Sequence, residues 1–128
     1  MKFSLDDHRP LFLQIAAMIE NDIIEGNIGE GEQVPSTNQF ASFYQINPAT
    51  AAKGINLLVD EGILFKKRGI GMFVAPGARE KLLQKRKQQF YHKYVLEMLR
   101  EAEKLQVSKE EIIDMILRGV DNGGGDAK

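Results

Sequence analysis

Cysteine is absent from the 128 residues of this chain, so disulfides, thiolate zinc sites and cysteine nucleophiles are excluded. Histidine occurs only at His8 and His92, which are far apart in the sequence, and no H-E-x-x-H motif or histidine–carboxylate cluster of a metal site appears. No apolar run approaches the roughly 18 residues of a membrane-spanning helix, and residues 1–10 lack the apolar region of a signal peptide. These absences predict a cytoplasmic protein with no cofactor and no membrane partner.

An excess of charge is also lacking, because 17 Lys and Arg residues balance 18 Asp and Glu residues. The net charge of −1 argues against a wholly electrostatic nucleic-acid binder, although a total can hide local asymmetry. Gly69 and Gly71 do not form a nucleotide-binding loop, because a third glycine and a following helix are missing. The chain also offers no nucleophile–base pair, and we therefore expect a binding protein rather than an enzyme.

The N-terminal part of the chain contains signals for three helices and a hairpin. Apolar periodicity predicts a helix over residues 11–24, and a short helix follows with its N-cap at Ser36 or the next residue. Asn47 is a suitable N-cap for a third helix, which ends before Gly62. Residues 63–74 contain two β-type runs around a glycine-containing tip, which is the pattern of a hairpin.

The C-terminal part is helical. Residues 79–106 are predicted to form one long helix, which at about 1.5 Å per residue would span roughly 40 Å, more than a small core can cover. Ser108 and Glu111 form a capping box that opens a last helix. The predicted domains are an N-terminal domain over residues 1–76, a helical segment over 77–120 and a disordered tail over 121–128.

The order of these elements is that of a winged helix-turn-helix, so the predicted fold class is mainly α with a small β-hairpin. In this plan the helix after the turn enters the major groove, and the cationic hairpin tip suits phosphates or the minor groove. Residues 1–76 contain six Lys and Arg residues against nine Asp and Glu residues. Because the positive patch of one subunit is small, one subunit should bind DNA weakly, and two subunits would double the contacts.

Five motifs occur in order between residues 10 and 74. They are Pro10-Leu11-Phe12-Leu13-Gln14-Ile15, Gly31-Glu32-Gln33-Val34-Pro35-Ser36-Thr37-Asn38-Gln39-Phe40-Ala41, Asn47-Pro48-Ala49-Thr50, Leu57-Leu58-Val59-Asp60-Glu61-Gly62 and Gly69-Ile70-Gly71-Met72-Phe73-Val74. This stretch resembles the GntR family of bacterial transcription regulators. The Asn-Pro-x-Thr opening and the short C-terminal segment are similar to its YtrA-like branch. The resemblance implies dimerisation by the C-terminal helices and repression of operons that often encode ABC transporters.

The element order and the resemblance together indicate the DNA-binding residues. They are Ser36, Thr37, Asn38, Asn47, Ala49, Thr50, Lys53, Lys66, Lys67, Arg68 and Gly69. The family usually has arginine at the position of Asn38, and often at those of Pro48 and Ala52, where these side chains read guanines. Because asparagine pairs with adenine, we expect Asn38 and Asn47 to give a different operator preference. Ser36, Thr37 and Asn47 can also act as helix N-caps, with or without DNA.

A second predicted surface is a homodimer interface on the C-terminal helices. Its residues are Phe90, Tyr91, Tyr94, Met98, Leu99, Ile112 and Ile116. A small-molecule pocket between subunits is an alternative use of these aromatic residues, so whether an effector exists stays open. A twofold protein predicts a pseudo-palindromic operator with half-sites about one helical turn apart.

The start of the long helix is basic and leaves a second function open. It carries Arg79, Lys81, Lys85, Arg86, Lys87 and Lys93. We expect this face to be solvated or to flank DNA. The alternative is a winged-helix interaction module that binds protein or an anionic membrane through this helix. The favoured function is a homodimeric transcription regulator, in particular a repressor, with double-stranded DNA as its partner.

Overall fold

The computed structural model describes residues 8–121 of the chain. The elements are α1 (Leu11–Ile24), β1 (Gln33–Val34), α2 (Thr37–Tyr44), α3 (Pro48–Asp60), β2 (Leu64–Lys67), β3 (Gly71–Val74), α4 (Ala78–Phe90), a π-helical segment (Tyr91–Val95), α5 (Leu96–Leu105) and α6 (Lys109–Asp121). They form two compact units that divide between Arg86 and Lys87. The predicted tail lies outside the described residues, except for Asp121, which ends α6.

The core of the first unit lies between α1 and α3. Ile15, Ile19 and Ile23 of α1 are buried, as expected for the apolar stripe of an amphipathic helix. A Cβ atom added at Gly54 of α3 would lie 2.7 Å from the carbonyl oxygen of Phe12. The missing side chain therefore allows α1 and α3 to pack closely, and α3 is held firmly against the core.

A three-stranded antiparallel sheet completes this unit in the order β1-β3-β2. The predicted hairpin is confirmed as β2 and β3, in which Leu64 lies opposite Val74. The strand β1 was not expected from the sequence. It pairs Gln33 with Phe73 and Val34 with Met72, so the wing is built on three strands rather than two. The structure is thus mainly helical with a small sheet, which confirms the predicted fold class.

Helix α4 begins within the first unit. Ala78 and Leu82 are fully buried there, and Lys85 and Arg86 both form ion pairs with Glu20 of α1. The packing of the first unit therefore continues about ten residues beyond residue 76. The division of function at residue 76 stays a prediction.

The single long helix predicted over residues 79–106 needs one correction. The chain is helical from Ala78 to Leu105, and Gln106 is the left-handed C-cap. Within this range Tyr91–Val95 is a π-helical turn, in which the N–H of Leu96 donates to the carbonyl of Tyr91. Such turns accommodate one additional residue inside an α-helix. In the second unit, the predicted capping box is confirmed, because Ser108 Oγ accepts from the N–H of Glu111 at 3.0 Å. Along residues 8–121, no helix is both long and apolar enough to cross a membrane.

Candidate nucleic-acid interface

A three-residue turn connects α2 to α3. Gln45 adopts the left-handed conformation with φ of 55°, and its N–H donates to the last carbonyls of α2. The N–H of Ile46 then donates to the carbonyl of Ala41 at 3.0 Å. These bonds end α2 tightly, and Asn47 starts the next helix at once. The two helices therefore form the predicted helix-turn-helix.

The N-terminus of α2 is capped by Ser36. Its Oγ accepts from the N–H of Gln39 at 3.1 Å, and Gln39 Oε1 accepts from the N–H of Ser36 at 2.9 Å. The N–H groups of Thr37 and Asn38 have no acceptor among the described residues. Because a helix N-terminus carries partial positive charge and open N–H groups, this end of α2 suits a phosphate.

The N-terminus of α3 is closed by comparison. Asn47 Oδ1 accepts from the N–H of Ala49 at 2.7 Å, and the N–H of Thr50 donates to the carbonyl of Asn47 at 3.0 Å. Pro48, between them, has no N–H to offer. A phosphate at this helix would therefore have to be bound by side chains, of which the half-buried Thr50 hydroxyl is one.

The side-chain amides of the two asparagines proposed to read bases differ in whether a hydrogen bond already holds them. The cap holds the side-chain amide of Asn47 in one orientation. Asn38 is exposed, and its amide makes no hydrogen bond to any residue in the described range. Because a bidentate pair with adenine uses both the donor and the acceptor of the amide, Asn38 is the better placed of the two.

Lys53, which the sequence indicates as a DNA-binding residue, has a contact within the chain. Its Nζ lies over the ring of Phe12 in α1, 4.1 Å from the ring centroid. At an exposed position such a contact contributes about 0.5–1 kcal/mol, less than a charge-assisted hydrogen bond. The contact with Phe12 thus orients Lys53, and a phosphate within reach could still bind it.

The wing presents its cations on an aromatic support. Phe65 and Phe73 stack with ring centroids 5.8 Å apart, and Lys67 Nζ lies 4.6 Å from the centroid of Phe73. Lys66 and Arg68 are exposed and form no ion pair with any described residue. The tip turns at Gly69, where φ is 75°. The wing therefore carries three adjacent cations at its end.

The segments that form this surface contain no acidic residues. No Asp or Glu occurs over residues 33–59 or over residues 62–79. Two acids of α1 do not compete with DNA either, because Glu20 and Asp22 are buried. The near-zero net charge thus conceals helix ends and a wing from which negative charge is excluded.

A model of the family described as bacterial regulatory proteins, gntR family, matches residues 11–74. The chain belongs to the GntR family. The match runs from the first residue of α1 to the last residue of β3, and so includes the helix-turn-helix and the wing. GntR-family regulators bind DNA and are not enzymes, which agrees with the expectation from the sequence.

Similar proteins support this assignment. A crystal structure from Bacteroides thetaiotaomicron, assigned to the GntR family, is 32% identical with a TM-score of 0.70 and covers 88% of this chain and 98% of its own. The HTH-type transcriptional repressor YtrA of Bacillus subtilis is 28% identical over 75 residues, 59% of this chain and 58% of YtrA. The DNA-binding domain of AraR, solved with operator ORR3, is 27% identical with a TM-score of 0.52 over 59% of this chain and 90% of its own.

The match to YtrA agrees with the branch indicated by the sequence. Several other curated relatives, such as the uncharacterised HTH-type regulator YurK of Bacillus subtilis, are matched over 31% of their length or less. This GntR-family chain therefore spans about a third of the length of those relatives.

In this GntR-family protein, half of the basic residues at the start of α4 are engaged within the first unit. Arg79 Nε donates to the carbonyl of Ile24 at 2.9 Å. Lys85 Nζ lies 2.8 Å from Glu20 and 3.1 Å from Glu61, and Arg86 lies 2.9 Å from Glu20. Burial alone would lower the pKa of Lys85, but the bonds to both carboxylates outweigh it and raise the pKa above 10.5.

The predicted interface residues divide into two groups. Phe90, Tyr94 and Ile116 are each more than half exposed, and Phe90 packs on Tyr94 with ring centroids 5.5 Å apart. Ile112, by contrast, is only 7% exposed, because it packs where α5 and α6 meet, with Ala102. Ile112 thus belongs to the core of its own subunit in the described structure. An interface role for all seven residues stays a prediction.

Sequence reasoning missed two contributors to the site. The spacing Ser36-x-x-Gln39 is the signature of a capping box and could have assigned the N-cap of α2. Gln33 was not singled out, yet its Nε2 donates to the carbonyl of Ile70 at the wing tip at 3.1 Å. No local signal indicates that contact, because the two residues are 37 positions apart.

Proposed function

We propose that this GntR-family regulator is a cytoplasmic homodimeric repressor that binds a pseudo-palindromic operator. The observation that carries the proposal is the open N-terminus of α2, where two N–H groups have no acceptor among the described residues, in a stretch of chain, residues 33–59, that contains no Asp or Glu. An anionic polymer is the partner that satisfies both features.

The contacts that we propose follow from the geometry of each element. The N–H groups of Thr37 and Asn38 bind a backbone phosphate, and the Asn38 side chain reaches a base edge. Thr50 and Lys53 contact the phosphates beside the groove. The wing tip, Arg68 with Gly69, lies against the adjacent sugar-phosphate chain. Ser36 and Asn47 hold these helix ends in place as caps.

Dimerisation is proposed from the second unit. Its helices carry large apolar side chains that are about half exposed or more in one chain, such as Leu105, Ile113, Ile116 and Leu117. Exposed apolar groups at this density are typical of a protein–protein interface. A homodimer built through them would place two helix-turn-helix units on one duplex, with half-sites about one helical turn apart.

The regulated operon is proposed from the YtrA-like branch, and we expect it to encode a transporter. The alternative, an interaction module that binds a membrane or a protein through the basic start of α4, has less support. Arg79, Lys85 and Arg86 already satisfy groups of the same chain, so they would have to give up these partners to bind another surface.

The proposal is tested by recovering genomic fragments with the purified protein and titrating salt on the recovered site. Four cations per subunit, Lys53, Lys66, Lys67 and Arg68, give at most about eight phosphate contacts per dimer, so log affinity should fall with log salt at a slope of up to about −7. Arg68→Ala should weaken the slope by about 2, because two contacts disappear. Lys104→Ala, a change on α5 in an exposed ion pair, is the control and should leave the slope unchanged. A recovered site that binds no better than random DNA would contradict the proposal.

Base readout is tested separately with operator variants. Asn38→Ala should weaken binding by about 1–3 kcal/mol and reduce the preference for adenine at one position of each half-site. Asn47→Ala should lower helix stability by about 1 kcal/mol through the lost cap while leaving that preference intact. If the two variants had the opposite effects, the assignment of base contact to Asn38 would be wrong.

A further inference from the structure

The wing tip is tied to strand β1 by one side chain. Gln33 Nε2 donates to the carbonyl of Ile70 at 3.1 Å, although the backbone partner of Gln33 is Phe73, three residues further along. A Cβ atom at Gly71 would overlap Gln33 Nε2, so the glutamine amide occupies the space that a side chain at Gly71 would need. The contact between β1 and the tip is therefore close as well as directional.

The tip has little else to fix its shape. Ile70 lies between two glycines with positive φ, Gly69 at 75° and Gly71 at 147°. Glycine gains the most conformational freedom when it is released, so a tip of this composition loses order readily. Beyond the strand pair of Lys67 and Gly71, which borders the tip, the described residues add a hydrogen bond from the N–H of Ile70 to the carbonyl of Lys67 at 2.9 Å.

The same short segment opens the helix-turn-helix. Val34 is buried in the sheet, and Ser36, two residues later, caps α2 and leaves its phosphate-binding N–H groups open. Residues 33–36 thus join the wing tip at one end to the α2 terminus at the other. A bond that fixes Gln33 to Ile70 also fixes the distance between these two candidate DNA contacts.

We propose that Gln33 is a positioning residue that holds the wing tip in the geometry that contacts DNA. It acts through the carbonyl of Ile70 rather than by binding DNA itself. The inference rests on the proposed function, in which Arg68 and Gly69 contact the operator.

The test is Gln33→Met in the full-length protein, which keeps the length of the side chain and removes the donor. We expect operator affinity to fall about five-fold for each wing affected, up to about 25-fold for a dimer, which are the factors for one and two hydrogen bonds of about 1 kcal/mol. The salt slope should also weaken, as it does in Arg68→Ala, because a displaced tip loses its phosphate contact. The melting temperature should fall by no more than about 5 °C, because one exposed hydrogen bond of about 1 kcal/mol is lost and the backbone pairing of Gln33 remains. Gln84→Met, the same substitution at an exposed position on α4, is the matched control and should leave affinity and slope unchanged.

A double-mutant cycle separates positioning from direct contact. If Gln33 acts through the tip, Gln33→Met should cost less than two-fold once Arg68 is alanine. Additive losses would overturn the inference, because they would mean that Gln33 acts independently of the tip. Unchanged affinity of Gln33→Met together with a weakened Arg68→Ala would overturn it and leave the proposed function standing. No effect of Arg68→Ala would instead refute the proposed wing contact, and the inference with it.

A second variant, Gln33→Glu, places a carboxylate against the carbonyl of Ile70 and repels it. Its operator affinity should fall at least as far as that of Gln33→Met, and normal affinity in this variant would also refute the inference.

Discussion

The ion pairs of Glu20 allow a quantitative test of how α4 is held to the DNA-binding unit. The Glu20 side chain is 7% exposed, and it accepts from Lys85 at 2.8 Å and from Arg86 at 2.9 Å. Glu20→Ala would remove the carboxylate that the partly buried Lys85 and Arg86 share. Breaking a fully buried pair costs about 3–5 kcal/mol, and the cations here are about one-third exposed, so we expect a loss of about 2–4 kcal/mol.

A matched control exists on α5, where Arg100 and Glu97 also lie 2.8 Å apart but are 60% and 62% exposed. Because solvent screens this pair, Glu97→Ala should cost less than about 0.5 kcal/mol. Urea denaturation of both variants at one fixed protein concentration measures the difference, and the expected drop in melting temperature for Glu20→Ala is roughly 10–20 °C.

An intermediate variant refines the test. Glu20→Gln keeps the shape and one acceptor oxygen but removes the charge, so it should cost about half as much as Glu20→Ala. Equal destabilisation by Glu20→Ala and Glu97→Ala would contradict this expectation, because Glu20 is buried and has two cationic partners, whereas Glu97 is exposed and pairs with Arg100. A cost below about 1 kcal/mol for Glu20→Ala would refute it too.

Three further predictions concern pH, packing and assembly. Desolvation of Tyr44 and the charge of Asp22 raise the pKa of Tyr44 above 10.0, and the carboxylate partners of Lys85 raise its pKa above 10.5. Because the folded protein holds both protons more tightly than the unfolded chain, the urea midpoint should stay constant up to about pH 10 and fall as the pH rises further. A urea midpoint that does not change above pH 10 would contradict this. Gly54→Ala should destabilise the protein by about 1–3 kcal/mol, because the added methyl group overpacks against α1. Gly119→Ala, on an open face of α6, should stabilise it by up to about 1 kcal/mol. Shifts of the urea midpoint in the same direction for both variants would contradict the packing argument. Ile116→Asp should convert dimers to monomers in sedimentation and weaken operator binding, and an unchanged sedimentation coefficient would exclude α6 from the interface.

Local signals in the sequence were sufficient for the helices of the first unit and for the hairpin. The apolar stripe of α1 and the proline after Asn47 act within one or two turns, so they can be recognised without knowledge of the fold. The strand β1 could not be recognised in this way. It is two residues long and exists because β3 lies beside it, which depends on the packing of the whole unit. The π-helical turn at Tyr91–Val95 likewise contains no glycine or proline from which it could be predicted.

The candidate site likewise has features that the local sequence predicts and features that depend on the fold. Its residue types, cations on a hairpin and polar caps on two helices, could be predicted because they are properties of short segments. The partners of these residues could not, because Lys53 contacts Phe12 in another helix and Gln33 contacts Ile70 at a separation of 37 residues. What the structure adds is therefore the difference between Asn38, whose amide is open, and Asn47, whose amide is committed to a cap.

The charge balance of the chain shows why a total misleads for a protein of this kind. Glu20 is buried between cations of α4, and Glu61 pairs with Lys85, so these acids neutralise bases on the same unit and contribute little field at a distance. The wing cations have no such partners among the described residues, and no acid lies within the helix-turn-helix until Asp60. The net charge of −1 is thus compatible with DNA binding because pairing removes charge from α1 and α4 but not from the wing. It follows that Glu20→Ala, which removes the carboxylate partner of Arg86 and one of the two carboxylate partners of Lys85, should increase nonspecific DNA affinity at low salt even as it lowers stability. An unchanged affinity for random duplex DNA would show that these cations do not reach the DNA.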